Sequence, residues 1–374
     1  MPTQQGPWIE VKQSSQSNKY QHEDVGSDSK NPWQAMFACQ IGIKPYEERL
    51  KLKWGFSPAF LLEEALDRQK LFIESQLSNN PIDGQSKHRT LALRCIGIPE
   101  SGLRLGLVAK VLAETEEKAH LFALNYQREI EAIFPYDYTV CPATSMEDFN
   151  RISGRQILAT SNNQTSVAQI RRFEQPLQTS KGAFRVIGLW QTAMRSDEQI
   201  WRALAKHPRE VLLNITLCPA TFLEGDRRTL LGMKQVAKSA QDKTVNEPYL
   251  QNYDAWIDPY IDRYASPWNK YFYMQVHLAS SLNIDEYLFR SIGSAITRDN
   301  TELAAPGFQI VRPSSHNEAI DWCKHLENLE FIHLSNNLFL PKLSELANLE
   351  EAHAVFRFPY PPELDLPNTV FLEN

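Results

Sequence analysis

The stretch "TLALRCIGIPESGLRLGLVAKVLAE", residues 90–114, holds two apolar runs, "TLALRCIGIP" and "LRLGLVAKVLAE", parted only by "ESG". Two strand-like runs joined by so few turn residues predict a β-hairpin. Directly downstream, "TEEKAHLFALNYQREIEAIF" (115–134) repeats Ala119, Phe122, Ala123, Tyr126, Ile130 and Ile133 at helical spacing. The run "YDYTVCPAT" (136–144) then reads as a strand that completes a β-β-α-β unit. Upstream, "NPWQAMFACQIGI" (31–43) reads as a short strand, and Ser57 followed by Pro58 reads as an N-cap with proline at the first helical position. That cap opens a helix to about Leu77, and "SNNPIDGQSKHR" (78–89) closes it as a loop.

The same reading divides the rest of the chain. Residues 1–30 are rich in Gln, Ser, Asn and Asp and carry too little apolar surface to offset the entropy of ordering, so they read as a flexible tail. A first α/β unit spans 31–154. Residues 155–182 are polar and weakly periodic and read as a linker. From 183 to 335 strand-like and helix-like runs alternate: "AFRVIGLW", a helix from Ser196, "EVLLNITLCPAT", a helix from Glu224, a helix near Tyr249 to Tyr264, "KYFYMQVHLAS", a helix from Ile284, "FQIVRP" and a helix from Asn317. Residues 336–374 form a C-terminal helix and a proline-rich lead-in. The expected fold class is α+β, with two related ferredoxin-like (split β-α-β) units whose helices pack on mixed sheets.

An internal echo supports relatedness. "YTVCPATSMEDFNR" (138–151) and "ITLCPATFLEGDRR" (215–228) share Cys-Pro-Ala-Thr and a following glutamate at one offset. Paired Cys and Thr suggest nucleophiles, yet neither has a histidine beside it in local sequence to act as base. Thr144 with Glu147 and Thr221 with Glu224 instead match the T-x-x-E capping box, as Ser196/Gln199, Asn283/Glu286 and Ser315/Glu318 match its relatives. Each echo is therefore expected to be a strand running into a capped helix.

Composition sets the outer bounds. The chain has 374 residues, 42% of them hydrophobic, enough for more than one core, and a formal net charge of −6. That balance exerts no global pull toward nucleic acid or anionic membrane, so such a contact needs a local patch. Five dispersed cysteines without a CxxC pair argue against a disulfide framework and a zinc cage, which fits a reducing cytoplasm. No apolar run approaches the roughly 20 residues that cross a bilayer.

The sequence contains no G-x-x-x-x-G-K-[ST], H-E-x-x-H, G-x-S-x-G or G-x-G-x-x-G motif, so no enzyme activity and no cofactor are expected. His316, His325 and His333 are spaced by nine and eight residues, which matches no familiar zinc pattern. Tyr249, Tyr253, Trp256, Tyr260 and Tyr264 make an aromatic helical stripe beside Asp254, Asp258 and Asp262, which would repel phosphates; packing or a protein interface is the better reading. Arg227, Lys234 and Lys238 share a predicted helix face with Arg228 beside them, the candidate nucleic-acid contact. Arg171 and Arg172 make a second basic cluster.

Several segments resemble the non-motor N-terminal region of HerA/FtsK-type ATPases, including those of conjugative transfer. They are "ITLCPATFLEGDRRTLLGM", "YFYMQVHLASS", "IDEYLFRSIGSAIT", "GFQIVRPSSHNEAIDWCKHLENLEF" and above all "LANLEEAHAVFRFPYPPELDLPN" (346–368). The resemblance implies an assembly or partner-docking domain of a ring-forming, DNA-handling ATPase, with a RecA-like motor on the same or a separate chain and homo-oligomerisation. The motor's phosphate loop, magnesium aspartate and arginine finger have no counterparts in this sequence. An alternative is a nucleic-acid-binding module of ferredoxin-like units. In the lead-in, Pro359, Pro361, Pro362 and Pro367 forbid helix, while Val355, Phe356, Phe358, Tyr360 and Phe371 carry more apolar surface than a solvated tail, which suggests docking onto this domain, a neighbouring copy or a motor and makes them the candidate partner-docking residues.

Overall fold

The computed structural model describes residues 6–14, 32–44, 57–77, 89–159, 166–179, 182–192, 197–220, 224–241, 264, 271–298, 307–332 and 345–360. Its first half runs β1 (Glu10–Gln13), β2 (Trp33–Ile43), α1 (Pro58–Gln76), β3 (Arg89–Ile98), β4 (Gly102–Ala113), α2 (Glu116–Ile133), β5 (Tyr138–Pro142) and α3 (Met146–Ser153). The hairpin over 90–114 is present, with Arg94 opposite Gly106 and Ile98 opposite Gly102. Ser57 caps α1 by accepting from the Phe60 N–H at 3.3 Å, and Pro58 opens the helix as its spacing predicts.

The second half continues with α4 (Arg155–Leu158), β6 (Ser166–Arg172), β7 (Glu174–Thr179), β8 (Gly182–Ile187), α5 (Asp197–Ala205), β9 (Val211–Ala220), α6 (Glu224–Gln241), β10 (Tyr271–Ser280), α7 (Glu286–Ile296), β11 (Phe308–Val311), α8 (His316–Glu327), β12 (Leu346–Asn348) and α9 (Leu349–Val355). Among the described residues the main sheet has ten strands in the order β1-β2-β4-β3-β9-β10-β6-β11, with β5 also on β2 and β12 also on β10. Its strand pairs are antiparallel, which corrects the expectation of mixed sheets. The architecture is α+β, with a largely open antiparallel sheet.

Both halves share one connection order. β5-β2-β4-β3 and β11-β6-β10-β9 each place their fourth, first, third and second strands side by side. The halves meet where β3 pairs β9 antiparallel, Arg94 opposite Asn214. The reason lies in composition: β3 is buried from Arg89 to Gly97 and β9 from Val211 to Cys218. An edge strand buried on both faces leaves its backbone groups unpaired, and pairing the two edges satisfies them and removes a template for aggregation.

This junction overturns the division into separate units. The 155–182 stretch is not a linker: β6 lies between β10 and β11, and Val167, Ala168 and Ile170 are buried. The polar look of the stretch comes from Gln169, Arg171 and Arg172, which are themselves buried. The expected strand at 183–190 is β8, which among the described residues pairs with β7 in a two-stranded ribbon outside the main sheet.

One continuous core covers a whole face. Phe37, Leu107, Leu93, Leu213, Met274 and Ile170, from six strands, pack with Phe72 of α1, Tyr126 of α2, Trp201 of α5, Phe289 of α7 and Val355 of α9. The opposite face carries two smaller clusters. Met36, Ala92 and Val108 meet Phe149 and Ile152 of α3, while Val167, Leu212 and Ala279 meet Ile157 of α4 and Trp322 of α8. Both faces are thus covered.

Helix starts depart from the expected boxes in detail. The α3 cap is Ser145, which accepts from the Asp148 N–H at 3.1 Å, one residue beyond Thr144. The α7 cap is Asp285, without a side-chain bond, instead of Asn283. Ser315 caps α8 through the Glu318 N–H at 3.2 Å, but the Glu318 carboxylate turns to Ser314. Thr221 and Ser196 lie outside the described residues. A complete box occurs where none was expected, between Asn348 and Glu351 at the start of α9. The Cys-Pro-Ala-Thr echo also sits at non-equivalent places, in the fourth strand of one half (β5) and the second strand of the other (β9).

Candidate functional site

The sheet face under α3, α4 and α8 carries a buried polar layer. Register partners run across seven strands as Gln40, Gly106, Arg94, Asn214, His277, Gln169 and Val311. The next row runs Ala38, Val108, Ala92, Thr216 and Gln275. Within these two rows the polar residues gather toward the second half, where β9 and β10 present Thr216, Gln275 and His277 while β2, β4 and β3 present Ala38, Val108, Gly106 and Ala92.

Arg94 sits at the junction and is 1% exposed. Its guanidinium donates to Asn214 Oδ1 at 2.9 Å, to the Ser153 carbonyl at 2.5 Å and to the Leu326 carbonyl. Those carbonyls close the C-terminal ends of α3 and α8, where the helix dipole favours a cation and the last acceptors lack intrahelical partners. Burial, and secondarily the Arg155 charge, draws the guanidinium down to about 9, so it stays charged at neutral pH. Close approach of α3 is possible because position 106 is glycine; a Cβ there would lie 2.6 Å from the Ile152 side chain. Beyond α8, Leu329 takes φ of 51° and Glu330 N–H reaches back to the His325 carbonyl at 2.8 Å, a left-handed helix stop. Leucine stands at this strained position because its side chain is buried with Met36 and Val108.

In the second half, the Gln275 amide bonds the Ile332 carbonyl at 2.9 Å and N–H at 3.0 Å, and reaches Glu345 at 3.0 Å. His325 Nδ1 lies 2.9 Å from Glu330 Oε2. His277 packs edge-on against Trp322, with 6.3 Å between ring centroids, and neither of its ring nitrogens has a hydrogen-bond partner among the described residues. Burial first, then the Arg171 and His325 charges, lower its pKa to about 3. Below about pH 6.5 the unfolded chain accepts a proton that the folded chain refuses, so stability falls as pH drops from about 6.5 toward 3. The full span is worth on the order of 5 kcal/mol. Urea midpoints measured from pH 7 to 4 are expected to fall less steeply for His277→Gln than for the parent chain; parallel curves would exclude His277 as the source.

Lys110 occupies the corner of the layer, opposite Met36 on β2 and Thr90 on β3. Burial lowers its pKa to about 8, against the raising effect of Glu330. Cysteine chemistry is muted: burial pushes the thiols of Cys39 and Cys95 up, and that of Cys323 to about 12. Among the described residues no group of three or more His, Cys, Asp or Glu side chains could hold a metal ion.

The residues singled out in the sequence are not gathered here. Arg227 and Lys234 are half-buried and Arg228 is exposed on α6, whose Leu230 is buried. The Lys238 side chain, Phe371, and the aromatic stripe apart from Tyr264 lie outside the described residues. Val355, Phe356, Phe358 and Tyr360 are buried in this chain's own core, so of the docking surfaces expected for them it is this domain that they pack on. Phe358 is the hub, within 6 Å of Phe72, Phe134 and Tyr138 by ring centroids of 5.8, 5.2 and 5.3 Å. The Gln69 side chain grips its backbone twice, accepting from Phe358 N–H at 3.0 Å and donating to its carbonyl at 3.2 Å. The polar layer itself escaped sequence reading, although "LNITL" (213–217) and "MQVHL" (274–278) carry its signal, polar residues at period two within apolar strands.

No protein-family model matches the chain, and no curated protein matches it in sequence.

Proposed function

We propose that this chain is a non-catalytic assembly and partner-docking domain of a ring-forming, DNA-handling ATPase, built from two ferredoxin-like (split β-α-β) units joined edge to edge. The shared strand order of the halves supports the ferredoxin-like reading. One observation carries the functional reading. Residues 345–360 strap the two halves together: β12 pairs β10 of the second half, and Phe358 seats on α1 and β5 of the first. A chain that continues past Tyr360 into "PPELDLPN" thus leaves from a fixed base, as a lead-in to a motor requires.

The rival reading, a nucleic-acid module, is weakened by helices on both sheet faces, which occupy the surface such units use for stacking bases. It would have to use α6. Light scattering of the full chain, alone and mixed with a RecA-like ATPase encoded beside it, tests the proposal. The expected result is a stoichiometric complex and self-association, with ATP turnover arising only from the partner. A chain that stays monomeric, captures no ATPase, and binds DNA at submicromolar affinity until Arg227, Arg228 and Lys234 are reversed would replace this reading by the rival.

A further inference from the structure

The strap over residues 345–360 grips the two halves by different chemistry. On one side of α9, Glu351 pairs with Arg172 of β6, and both side chains are fully buried. His353, two residues on, points away from that pair, because side chains at i and i+2 do not share a helix face. Its side of the strap meets α1 of the first half, where Lys70 bridges to Glu350 and Leu62, Ala65 and Leu66 pack with Tyr360. Just past the helix, the Phe358 N–H donates to Gln69 Oε1 of α1 at 3.0 Å.

The imidazole is the weak point of this second grip. His353 is 8% exposed, and its Nε2 is buried with no hydrogen-bond partner among the described residues. The charges that act on the ring are Arg357 and Glu350 from the strap and Lys70 from α1. Two of these three are cations, and Glu350 is already engaged by Lys70. Among the described residues, β10 and β12, on which α9 also rests, bring no charge to the ring. A neutral imidazole fits this niche. A protonated one would add a third cation and make donors of both ring nitrogens, one of them buried without an acceptor. Burial first, then Arg357 and Lys70, draws the ring down to about 4, against the raising effects of Glu350 and the Leu66 backbone.

We propose that the strap is an acid-sensitive clasp, in which protonation of His353 loosens the hold of α9 and Phe358 on α1. The sign follows from which state takes the proton. A strap lifted off α1 exposes His353 to water, where it binds a proton at about pH 6.5, whereas the seated strap refuses it down to a lower pH. The hold is therefore complete above about pH 6.5 and weakens as pH falls below that value. The Arg172–Glu351 grip on the second half carries no group that titrates in this range, so the strap loosens from one half first. The clasp stands on the packing of the strap alone and not on the assembly function proposed above.

Amide hydrogen exchange of the full chain tests this, with rates over residues 349–358 corrected for the intrinsic effect of pH. The Phe358 amide reports the grip directly, since its partner is a side chain of α1. Between about pH 7.5 and about pH 5 the open fraction of this segment is expected to rise roughly 20-fold in the parent chain. His353→Gln, which stays neutral throughout, is expected to show no such rise. No rise in the parent, or an equal rise in the variant, overturns the clasp. Should His353→Gln fail to fold, Lys70→Met decides the matter at a partly exposed position. It removes one of the two cations that act on the ring and frees Glu350, so the rise is expected to shrink several-fold; an undiminished rise overturns the proposal.

Discussion

Replacing Glu351 with alanine is expected to remove about 3–5 kcal/mol of stability, read as a lower urea midpoint at unchanged slope. Glu351 and Arg172 are both fully buried, with the guanidinium donating to Glu351 Oε1 at 3.1 Å, to the Tyr264 hydroxyl at 3.1 Å and to the Leu346 carbonyl at 2.8 Å. Tyr264 donates to the Glu351 carboxylate, and the Asn348 N–H reaches the same carboxylate at 3.2 Å. Alanine would leave the Arg172 cation inside the protein without its counter-charge, a larger loss than the pair itself contributes. The double variant Arg172→Met with Glu351→Met is expected to recover most of the loss, since apolar volume replaces two charges that needed each other. If the double variant is as unstable as the single one, packing and not the stranded charge is responsible. Hydrogen exchange should show β12 and the adjoining part of β10 opening first in the single variant, because the strap is what the ion pair secures.

Arg94→Ala is expected to be of similar size, about 3–5 kcal/mol, through a different mechanism. Three buried acceptors, Asn214 Oδ1 and the carbonyls of Ser153 and Leu326, would lose one donor each, at about 1–3 kcal/mol per unmet group. The side chain also fills the seam between the halves, so a cavity adds to the loss. Arg94→Lys should rescue little, since an ammonium cannot reproduce the planar fork that reaches two helix ends at once. A loss below 1 kcal/mol, or full rescue by lysine, would mean that α3 and α8 hold their ends without this group.

The two predictions share a theme that the sequence only half discloses. Arg171 and Arg172 look in sequence like an exposed basic cluster within a polar linker, yet both are buried in β6. Their neighbours Val167, Ala168 and Ile170 do carry the alternation of a strand, but the Gln and Arg residues between them mask it, because polar residues in a linear reading imply solvent. Only a partner brought from far along the chain, such as Glu351 for Arg172, makes burial tolerable. The same holds for the polar layer: Arg94 and Asn214 stand in separate apolar runs, and nothing in their spacing says that they pair.

The hairpin at 90–114, the helices at 58–76 and 116–133, and the strands at 33–43, 211–220, 271–280 and 308–311 were legible from the sequence because hydrophobic period and helix caps are local properties. The Cys-Pro-Ala-Thr echo that suggested two related halves falls on non-equivalent strands, whereas the repeated strand order became visible only in the sheet. The tertiary structure alone decided that the halves share one sheet through β3 and β9, that the supposed linker is a buried strand, and that the aromatic lead-in packs onto its own domain. It also decided where the polar layer lies. Local periodicity determines which way side chains alternate, but which edges pair, and which buried charges find counter-charges, depends on free energies summed over residues far apart in sequence.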